Sequence, residues 1–313
     1  MASEIQKAAQ IIQEGGLVAF PTETVYGLGA DATNALAVAR IFEAKNRPQF
    51  DPLIVHVADL RQAEILSTRF PKAAFQLAEK FWPGPLTLVL PKSRVIPDLV
   101  TSSLPSVALR VPQHPLALDL IRESGRPIAA PSANPFGGIS PTTAQHVRES
   151  LGEKVDLILD GGPCRVGVES TVVSFTTEVP TLLRPGGLSL EEIEAVIGKI
   201  QIISGQDGLP QAPGQLDQHY APRTPLSLQT HFSGGAPDQK IGLLTLLAPK
   251  DASLFTAVEV LSAQADLKEA AAHLFAALRR LDDRGLDRII ALPVPDQGLG
   301  RAINDRLKRA SHD

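Results

Sequence analysis

Residues 17–56, LVAFPTETVYGLGADATNALAVARIFEAKNRPQFDPLIVH, constrain the fold more strongly than any other stretch. The apolar run 17–20 is typical of a strand, and it stops at Pro21, which has no N–H to donate to a sheet. Polar side chains and two glycines crowd residues 22–29, which we expect to form a loop at the end of that strand. Because open α/β sheets bind ligands at strand ends, we expect the chemistry of this chain to lie here.

A helix and a second strand should follow this loop. Apolar residues between 35 and 44 recur close to the i, i+3, i+4 spacing of a helix, which ends at Lys45-Asn46-Arg47-Pro48. Residues 53–56 are strand-like and end on a histidine. Two cations at a helix C-terminus ordinarily complement the helix dipole. The prolines after them and the polar end of the next strand favour a role in binding instead.

Composition predicts a globular protein of two domains. The 313 residues exceed what one compact core usually holds. A formal charge of −4 gives no global attraction for nucleic acid or an acidic membrane. The one cysteine, Cys164, excludes an intramolecular disulfide and a cysteine metal cluster. Residues 1–16 form a polar amphipathic pattern rather than a signal peptide, and no apolar run approaches ~20 residues, so we expect a cytoplasmic protein without membrane contact.

Later strands repeatedly run into polar or cationic groups. Arg110 lies inside the apolar strand 107–111, where a cation is unfavourable unless it faces an anion or an open cleft. A polar turn follows at 131–138, and Arg184 follows another strand. Ser140 and the proline after it predict the N-terminus of the next helix, which would be a site for phosphate.

The remaining chain indicates a linker and a second domain. Residues 201–225 lack clear periodicity and contain several Gly and Pro breaks. Strand and helix patterns then alternate, which indicates a small doubly wound domain. We therefore divide the chain into an α/β domain at 1–204, a linker at 205–225 and a smaller α/β domain at 226–313.

Common nucleotide and metal motifs are missing or weak. No GxxxxGK[ST] occurs, so a user of ATP would have to hold phosphate without a P-loop. Residues 27–32 nominally fit GxGxxA, but six residues including a proline separate them from the strand, whereas that motif places its glycines at the strand end. The histidines show no HExxH and never pair at ligand spacing, so we expect no dedicated protein site for a metal.

A series of motifs occurs in one order along nearly the whole chain: FPTETVYGLG, KNRP, PLIVH, FWPGPLTLVL, VALRVP, APSAN, ESTVV, RPG, HYAP and GLGRAINDRL. This series closely resembles the Sua5/YrdC family of threonylcarbamoyl-AMP synthases. The resemblance implies α/β architecture throughout, with a YrdC-like twisted open sheet domain followed by a smaller Rossmann-like domain.

The resemblance also implies an activity. Such enzymes are nucleotidyltransferases that use L-threonine, bicarbonate and ATP to form threonylcarbamoyl-adenylate and pyrophosphate, towards N6-threonylcarbamoyladenosine (t6A37) in tRNA. We expect Mg2+ to accompany ATP, and tRNA-modifying transferase proteins to act downstream. No carboxylate is obviously placed as a general base. We therefore expect catalysis by positioning and electrostatics, in which a carbamate formed from the threonine amine attacks the α-phosphorus.

Site residues follow from the resemblance position by position. The catalytic set around the phosphates and the reacting carbonate is Lys45, Arg47, Ser132 and Asn134. The ATP-binding set is Arg47, Asp51, Ser106, Ser132, Ser140, Arg184 and Tyr220. The L-threonine set is Thr24, His56, Arg110, Ala130 and Ser170, with Arg110 the natural partner of the amino-acid carboxylate.

Asp51 and the HYAP motif each lead to a further expectation about the site. Many relatives have Asn where this chain has Asp51, and a carboxylate beside a triphosphate would repel it unless Mg2+ intervenes. The HYAP motif at 219–222 implies that the linker acts as an active-site lid, with Tyr220 on the nucleotide side and Arg223 near a phosphate.

Two other classes stay open. One is an RNA-binding module without ATP turnover, since family members can bind RNA and the last helix carries Arg301, Arg306, Lys308 and Arg309; a solvated face is the commoner explanation of such a run. The other is a carbamoyl-adenylate transferase of the hydrogenase-maturation type, which shares the fold. Those proteins carry acylphosphatase and zinc-finger regions that do not occur in these 313 residues.

Overall fold

The computed structural model describes residues 3–203, 219–231 and 239–311. Within them lie one sheet of ten strands and one of four, which confirms the α/β class and the order of a larger and a smaller domain. None of the helices in these ranges is both long and apolar enough to cross a membrane.

The first domain is built on the ten-stranded sheet. Its strands are β1 (Val18–Phe20), β2 (Gly27–Asp31), β3 (Ile54–His56), β4 (Leu86–Pro91), β5 (Ser106–Arg110), β6 (Ile128–Ala129), β7 (Leu157–Ile158), β8 (Thr171–Ser174), β9 (Thr181–Arg184) and β10 (Gln201–Ile202). Their order in the sheet is β10-β9-β8-β4-β5-β3-β6-β2-β1-β7. Parallel and antiparallel neighbours are mixed, so strand ends of both kinds meet near the centre.

Seven α-helices accompany this sheet in the described residues. They are α1 (Glu4–Gln13), α2 (Ala35–Lys45), α3 (Leu60–Leu66), α4 (Lys72–Phe81), α5 (Pro115–Ser124), α6 (Ala144–Leu151) and α7 (Leu190–Ile197). The main core gathers apolar side chains from α2, α4 and the central strands. Asn46 ends α2 in the left-handed conformation, which turns the chain between Lys45 and Arg47.

The expected loop at 22–29 is shorter than predicted. Residues 27–31 form β2, which pairs antiparallel with β1 so that Val18 faces Gly29. A Cβ on Gly29 would lie 2.7 Å from both Phe20 and Ile128, closer than packed atoms allow. This glycine therefore permits close packing inside the sheet, and the GxGxxA residues lie in strand β2 and directly after it rather than in a turn that opens a helix.

The predicted helix start at Ser140 is wrong. Helix α6 begins at Ala144, and its N-cap is Thr143, whose side chain accepts from the backbone N–H of His146. The Ser-Pro-Thr-Thr sequence offers three capping hydroxyls, and the structure uses the last one. Ser140 lies upstream and is fully buried.

The second domain is a small parallel sheet with two helices. Its elements are β11 (Leu226–Leu228), β12 (Ile241–Thr245), β13 (Ala257–Val260), α8 (Leu267–Asp282), β14 (Arg288–Ala291) and α9 (Gly300–Ala310). The order is β11-β14-β12-β13 with all neighbours parallel, as in a doubly wound fold. Strand β13 is half-exposed along its length and was not predicted from its sequence pattern.

The two domains share a packed contact. Val25, Ile139 and Val168 of the first domain belong to the same apolar cluster as α8 and α9. Gly167 lies directly against α8, where a Cβ would come within 2.4 Å of the Ala271 carbonyl oxygen. No side chain fits at this position, so backbone meets backbone across the domain contact.

Candidate functional site

A cleft lies at the strand ends of the first domain, the edge at which open α/β sheets bind ligands. All five residues assigned to L-threonine line it, namely Thr24, His56, Arg110, Ala130 and Ser170. From the ATP and catalytic sets, Arg47, Ser132, Arg184 and Tyr220 line it too. Lys45, Asp51, Ser106, Asn134 and Ser140 are not among the lining residues.

Arg110 lies at the end of β5 and is buried against a carboxylate. Its Nη2 donates to Glu23 Oε1 at 2.7 Å, and its Nε donates to the Gly84 carbonyl at 3.3 Å. The other Glu23 oxygen accepts from the backbone N–H of Gln113 at 2.9 Å. Sequence reasoning did not assign Glu23, although a cation within an apolar strand requires an anion nearby. Glu23 therefore fixes the guanidinium that faces the cleft.

His56 is the cross-strand neighbour of Arg110. Burial, reinforced by the charge of Arg110, lowers the pKa of His56 to about 3, so its imidazole is neutral near pH 7. His56 Nδ1 has no hydrogen-bond partner among the described residues. Thr24 Oγ1 lies 2.8 Å from Thr22 Oγ1. These groups offer neutral donors and acceptors beside the cation of Arg110.

Arg184 places a second guanidinium at the cleft from the end of β9. Its Nη2 donates to the Ser170 carbonyl at 2.8 Å and to Ser170 Oγ at 3.2 Å. Ser170 Oγ lies 2.8 Å from Thr87 Oγ1. Ser170 is thereby fixed between a strand hydroxyl and a cation.

Lys45 supports the turn that carries Ser132 and Asn134. Its Nζ donates to the Ser132 carbonyl at 2.5 Å and to the Asn134 carbonyl. Burial, followed by the charge of Arg47, lowers the pKa of Lys45 well below its ordinary value. Asn134 Oδ1 is buried without a hydrogen-bond partner among the described residues. A direct contact of Lys45 with phosphate stays a prediction.

Arg47 and Asp51 form a buried ion pair. Arg47 Nη2 lies 2.8 Å from Asp51 Oδ2, and it also donates to the Pro52 carbonyl at 3.0 Å. Burial raises the pKa of Asp51, whereas the charges of Arg47, Lys45 and Arg184 oppose that rise. The structure therefore supplies a cation for Asp51 from the same segment of chain.

Two predicted ATP contacts lie away from the lining. Ser106 begins β5 and Arg110 ends it, so the two are roughly 13 Å apart along the strand. Ser140 Oγ donates to Glu169 Oε1 at 2.5 Å, and Glu169 itself lines the cleft. Their contacts with ATP stay predictions.

The HYAP segment, residues 219–222, follows the first domain in the sequence, and its His219 and Tyr220 line the cleft. His219 N–H donates to the Arg309 carbonyl at 3.0 Å, and Ala221 N–H donates to the Gly137 carbonyl at 2.8 Å. Tyr220 stacks on Phe275 with 5.6 Å between ring centres, and its hydroxyl has no partner among the described residues. The segment is thus held by both domains. Most of the predicted linker, residues 205–218, lies outside the described residues.

The expected position of Arg223 is wrong. Its side chain is exposed and pairs with Asp282 at 2.9 Å and Asp283 at 2.6 Å. The basic face expected on the last helix is also largely neutralised. Three of its four cations pair with carboxylates, namely Arg301 with Glu191, Arg306 with Glu169 and Asp305, and Arg309 with Asp305.

Buried charge around the cleft is unbalanced. Among the described residues near the cleft, five buried cations, Lys45, Arg47, Arg110, Arg184 and Arg306, stand against three buried carboxylates, Glu23, Asp51 and Glu169, and the partly buried Asp305 that also pairs with Arg306. When all nine are ionised, five cations face four carboxylates, and the remaining excess of positive charge is unfavourable away from water unless an anion binds. Fold and cleft together define an α/β protein with a cleft at its strand ends that is rich in buried cations.

Comparison with known proteins identifies the family. Residues 10–186 match the Sua5_yciO_yrdC model, described as telomere recombination, and residues 188–312 match the model of the threonylcarbamoyl-AMP synthase C-terminal domain. The chain belongs to the Sua5/YrdC family of threonylcarbamoyl-AMP synthases.

Similarity to individual members extends over nearly the full chain. A threonylcarbamoyl-AMP synthase of Pyrococcus abyssi is 48% identical, covering 98% of this chain and 94% of the relative. One from Bacillus subtilis is 47% identical, covering 98% and 93%. A crystal structure of Pyrococcus abyssi Sua5 complexed with L-threonine has a TM-score of 0.91 at 46% identity, covering 98% of this chain and 94% of that one.

Proposed function

We propose that this chain catalyses the formation of threonylcarbamoyl-AMP and pyrophosphate from L-threonine, bicarbonate and ATP. The observation that carries the proposal is one cleft in which all five predicted threonine residues meet four residues of the predicted ATP set, Arg47, Ser132, Arg184 and Tyr220. The excess of buried positive charge suits a triphosphate, and neutral His56 and Thr24 beside Arg110 suit a zwitterionic amino acid.

The residues divide into two functional sides. Arg110, held by Glu23, binds the threonine carboxylate, which leaves the neutral amine free to form a carbamate, with release of a proton when CO2 is the reactant or of water when bicarbonate is. The resulting carbamate oxygen attacks the α-phosphorus, and pyrophosphate leaves. Arg47 and Arg184 stabilise the negative charge that develops on the phosphates. Glu23, Asp51 and Glu169 each pair with an arginine, so the chemistry rests on orientation and charge rather than on a carboxylate base.

Mg2+ belongs to this proposal as part of the substrate. The carboxylate oxygens of Asp51 are buried and accept no hydrogen bond among the described residues, as suits a cation ligand. Arg47 already lies 2.8 Å from one of them. We therefore expect Mg2+ to arrive bound to ATP, with the triphosphate as its main ligand.

One assay tests the function directly. Pyrophosphate release from ATP is measured with L-threonine and bicarbonate present together and with each omitted singly. Release that requires both supports the proposal. Release that ignores threonine, or ATP-independent binding of RNA without turnover, would favour the alternatives. Transfer of the product to tRNA-modifying transferase proteins and a cytoplasmic location stay predictions.

Choice of amino acid should follow the shape of the threonine side of the cleft. L-Serine lacks one methyl group and is expected to be used about 10- to 200-fold less efficiently, because a missing methyl is worth ~1–3 kcal/mol. Comparing kcat/KM for threonine, serine and glycine checks this. Equal turnover of glycine and threonine would contradict a threonine pocket.

Tyr220 is expected to support the nucleotide side. Tyr220→Ala removes the ring that stacks on Phe275 and should weaken ATP binding and lower product yield while circular dichroism stays unchanged. Tyr220→Phe is the matched control, since it keeps the ring and removes only a hydroxyl without a partner among the described residues. Loss of a hydrogen bond from this hydroxyl to the nucleotide would weaken ATP binding by about 1 kcal/mol or roughly fivefold. ATP affinity unchanged in both variants would return the HYAP segment to the role of a tether.

A further inference from the structure

Arg306 is a buried charge of the second domain that contacts two residues lining the cleft, Glu169 and Tyr220. It lies on α9, its side chain is 0% exposed, and its Nε donates to Glu169 Oε2 at 2.7 Å. Glu169 belongs to the first domain, precedes Ser170 and lines the cleft. A cation from the end of the chain thus contacts a cleft residue 137 positions earlier.

Glu169 is held from both sides. Its second oxygen accepts from Ser140 Oγ at 2.5 Å, so the carboxylate has one fixed orientation. Burial alone would raise the pKa of Glu169, but the charges of Arg306 and Arg184 and the hydrogen bond from Ser140 hold it below its ordinary value. Glu169 therefore stays ionised in a buried position because Arg306 faces it.

Arg306 also contacts the HYAP segment. Its guanidinium carbon lies 5.0 Å from the centre of the Tyr220 ring, within the range of a cation–π contact. Its Nη1 donates to Asp305, and its Nη2 is buried without a hydrogen-bond partner among the described residues. One guanidinium thus joins two features of the nucleotide side, the Glu169–Ser140 pair and Tyr220.

We propose that Arg306 is a positioning residue of the nucleotide site, through which the second domain orients Glu169, Ser140 and Tyr220 for ATP. The inference rests on the proposed function and assigns a role to the second domain. Arg306 acts through its neighbours, so its loss should affect ATP far more than threonine, whose carboxylate is bound by the separate Arg110–Glu23 pair.

A second ion pair between the same domains provides the control. Arg301, also on α9, lies 3.1 Å from Glu191 of the first domain, and the two side chains are 26% and 53% exposed. Neither residue lines the cleft. Arg301→Met therefore removes an interdomain ion pair without changing a residue of the site. The effect of weaker contact between the domains can thus be told apart from the effect of losing the orientation of the nucleotide-site residues.

The experiment measures KM for ATP and for threonine, together with direct ATP binding, in Arg306→Met, Arg306→Lys and Arg301→Met. We expect Arg306→Met to raise KM for ATP roughly thirtyfold or more, as for truncation of one partner of a buried charge pair, with KM for threonine within threefold. Arg306→Lys keeps a charge for Glu169 and should recover part of the loss. Arg301→Met should stay within about twofold of the wild type.

A double variant tests whether Arg306 acts through Glu169. In a Glu169→Gln background the partner charge is already absent. The double variant should therefore have a KM for ATP less than threefold above that of Glu169→Gln alone. Full additivity of the two changes would overturn the proposal, as would equal effects of Arg306→Met and Arg301→Met. If circular dichroism shows that Arg306→Met does not fold, Arg306→Lys is used instead. A larger rise in KM for ATP than in KM for threonine then supports the inference, and equal changes in the two KM values overturn it.

The outcomes separate this inference from the function on which it rests. A wild type that binds ATP without releasing pyrophosphate would overturn the proposed function, while ATP affinities of the variants still decide the role of Arg306. A wild type that turns over normally, with ATP affinity unaffected by Arg306→Met, would overturn the inference alone. A wild type that neither binds ATP nor turns over would overturn both.

Discussion

Replacement of Arg47 by methionine is expected to slow pyrophosphate formation about a hundredfold, because loss of one group that stabilises transition-state charge costs ~3 kcal/mol. Arg47 lines the cleft and is held in place by the Asp51 carboxylate and the Pro52 carbonyl. The measurement is kcat under saturating ATP, threonine and bicarbonate. Arg40→Met is the matched control, since Arg40 lies on α2 but is exposed and pairs with Asp156.

Stability has to be separated from catalysis in this variant. Arg47→Met leaves Asp51 buried without its cation, which costs about 3–5 kcal/mol of folding free energy. The double variant Arg47→Met, Asp51→Asn removes both charges and should regain most of that stability while activity stays low. Recovery of activity along with stability would show that Arg47 serves the fold rather than the reaction.

Replacement of Arg110 by methionine is expected to raise KM for threonine at least about thirtyfold, while KM for ATP changes little. The physical reason is the loss of a desolvated partner for the amino-acid carboxylate, worth ~2–5 kcal/mol. Glu23→Gln should have a smaller effect in the same direction, because it keeps the guanidinium but loosens its orientation. Steady-state kinetics with each substrate varied in turn provides both values.

Arg126→Met serves as the control for Arg110→Met. Arg126 also belongs to the first domain and faces a carboxylate, but its side chain is 51% exposed and lies 3.6 Å from Asp31. We expect wild-type kinetics for it. A KM for threonine that is unchanged in Arg110→Met would move the carboxylate site elsewhere in the cleft.

Local chemistry made much of the fold predictable. The helix after residue 34 and the strand that ends on His56 follow from apolar periodicity and from a cationic, proline-bounded helix end, and the structure places both within one residue of expectation. Arg110 was identified because burying a cation inside an apolar strand is unfavourable unless an anion lies nearby. Glu23 is that anion in the structure. Strand β2 was missed because glycine weakens strand propensity, whereas here it allows Phe20 to pack.

The candidate site was less accessible to sequence reasoning because its contacts are distant in sequence. Lys45 donates to carbonyls 87 and 89 residues away. In the sequence it is recognisable only as a cation at a helix end, which does not predict these contacts. Arg306 stands in a run of cations typical of a solvated surface, but the domain contact buries it. Such long-range pairs depend on how the domains pack, which no local pattern encodes.

The glycine contact between the domains limits how far this protein can be divided into modules. Val25, Ile139 and Val168 pack against the second domain, and Gly167 touches its backbone. A chain cut after Ile203 would expose those three apolar side chains to water, besides losing Tyr220 and Arg306. A first domain separated from the second would thus carry an exposed apolar patch, and we expect a separately stable version to need polar residues at these three positions.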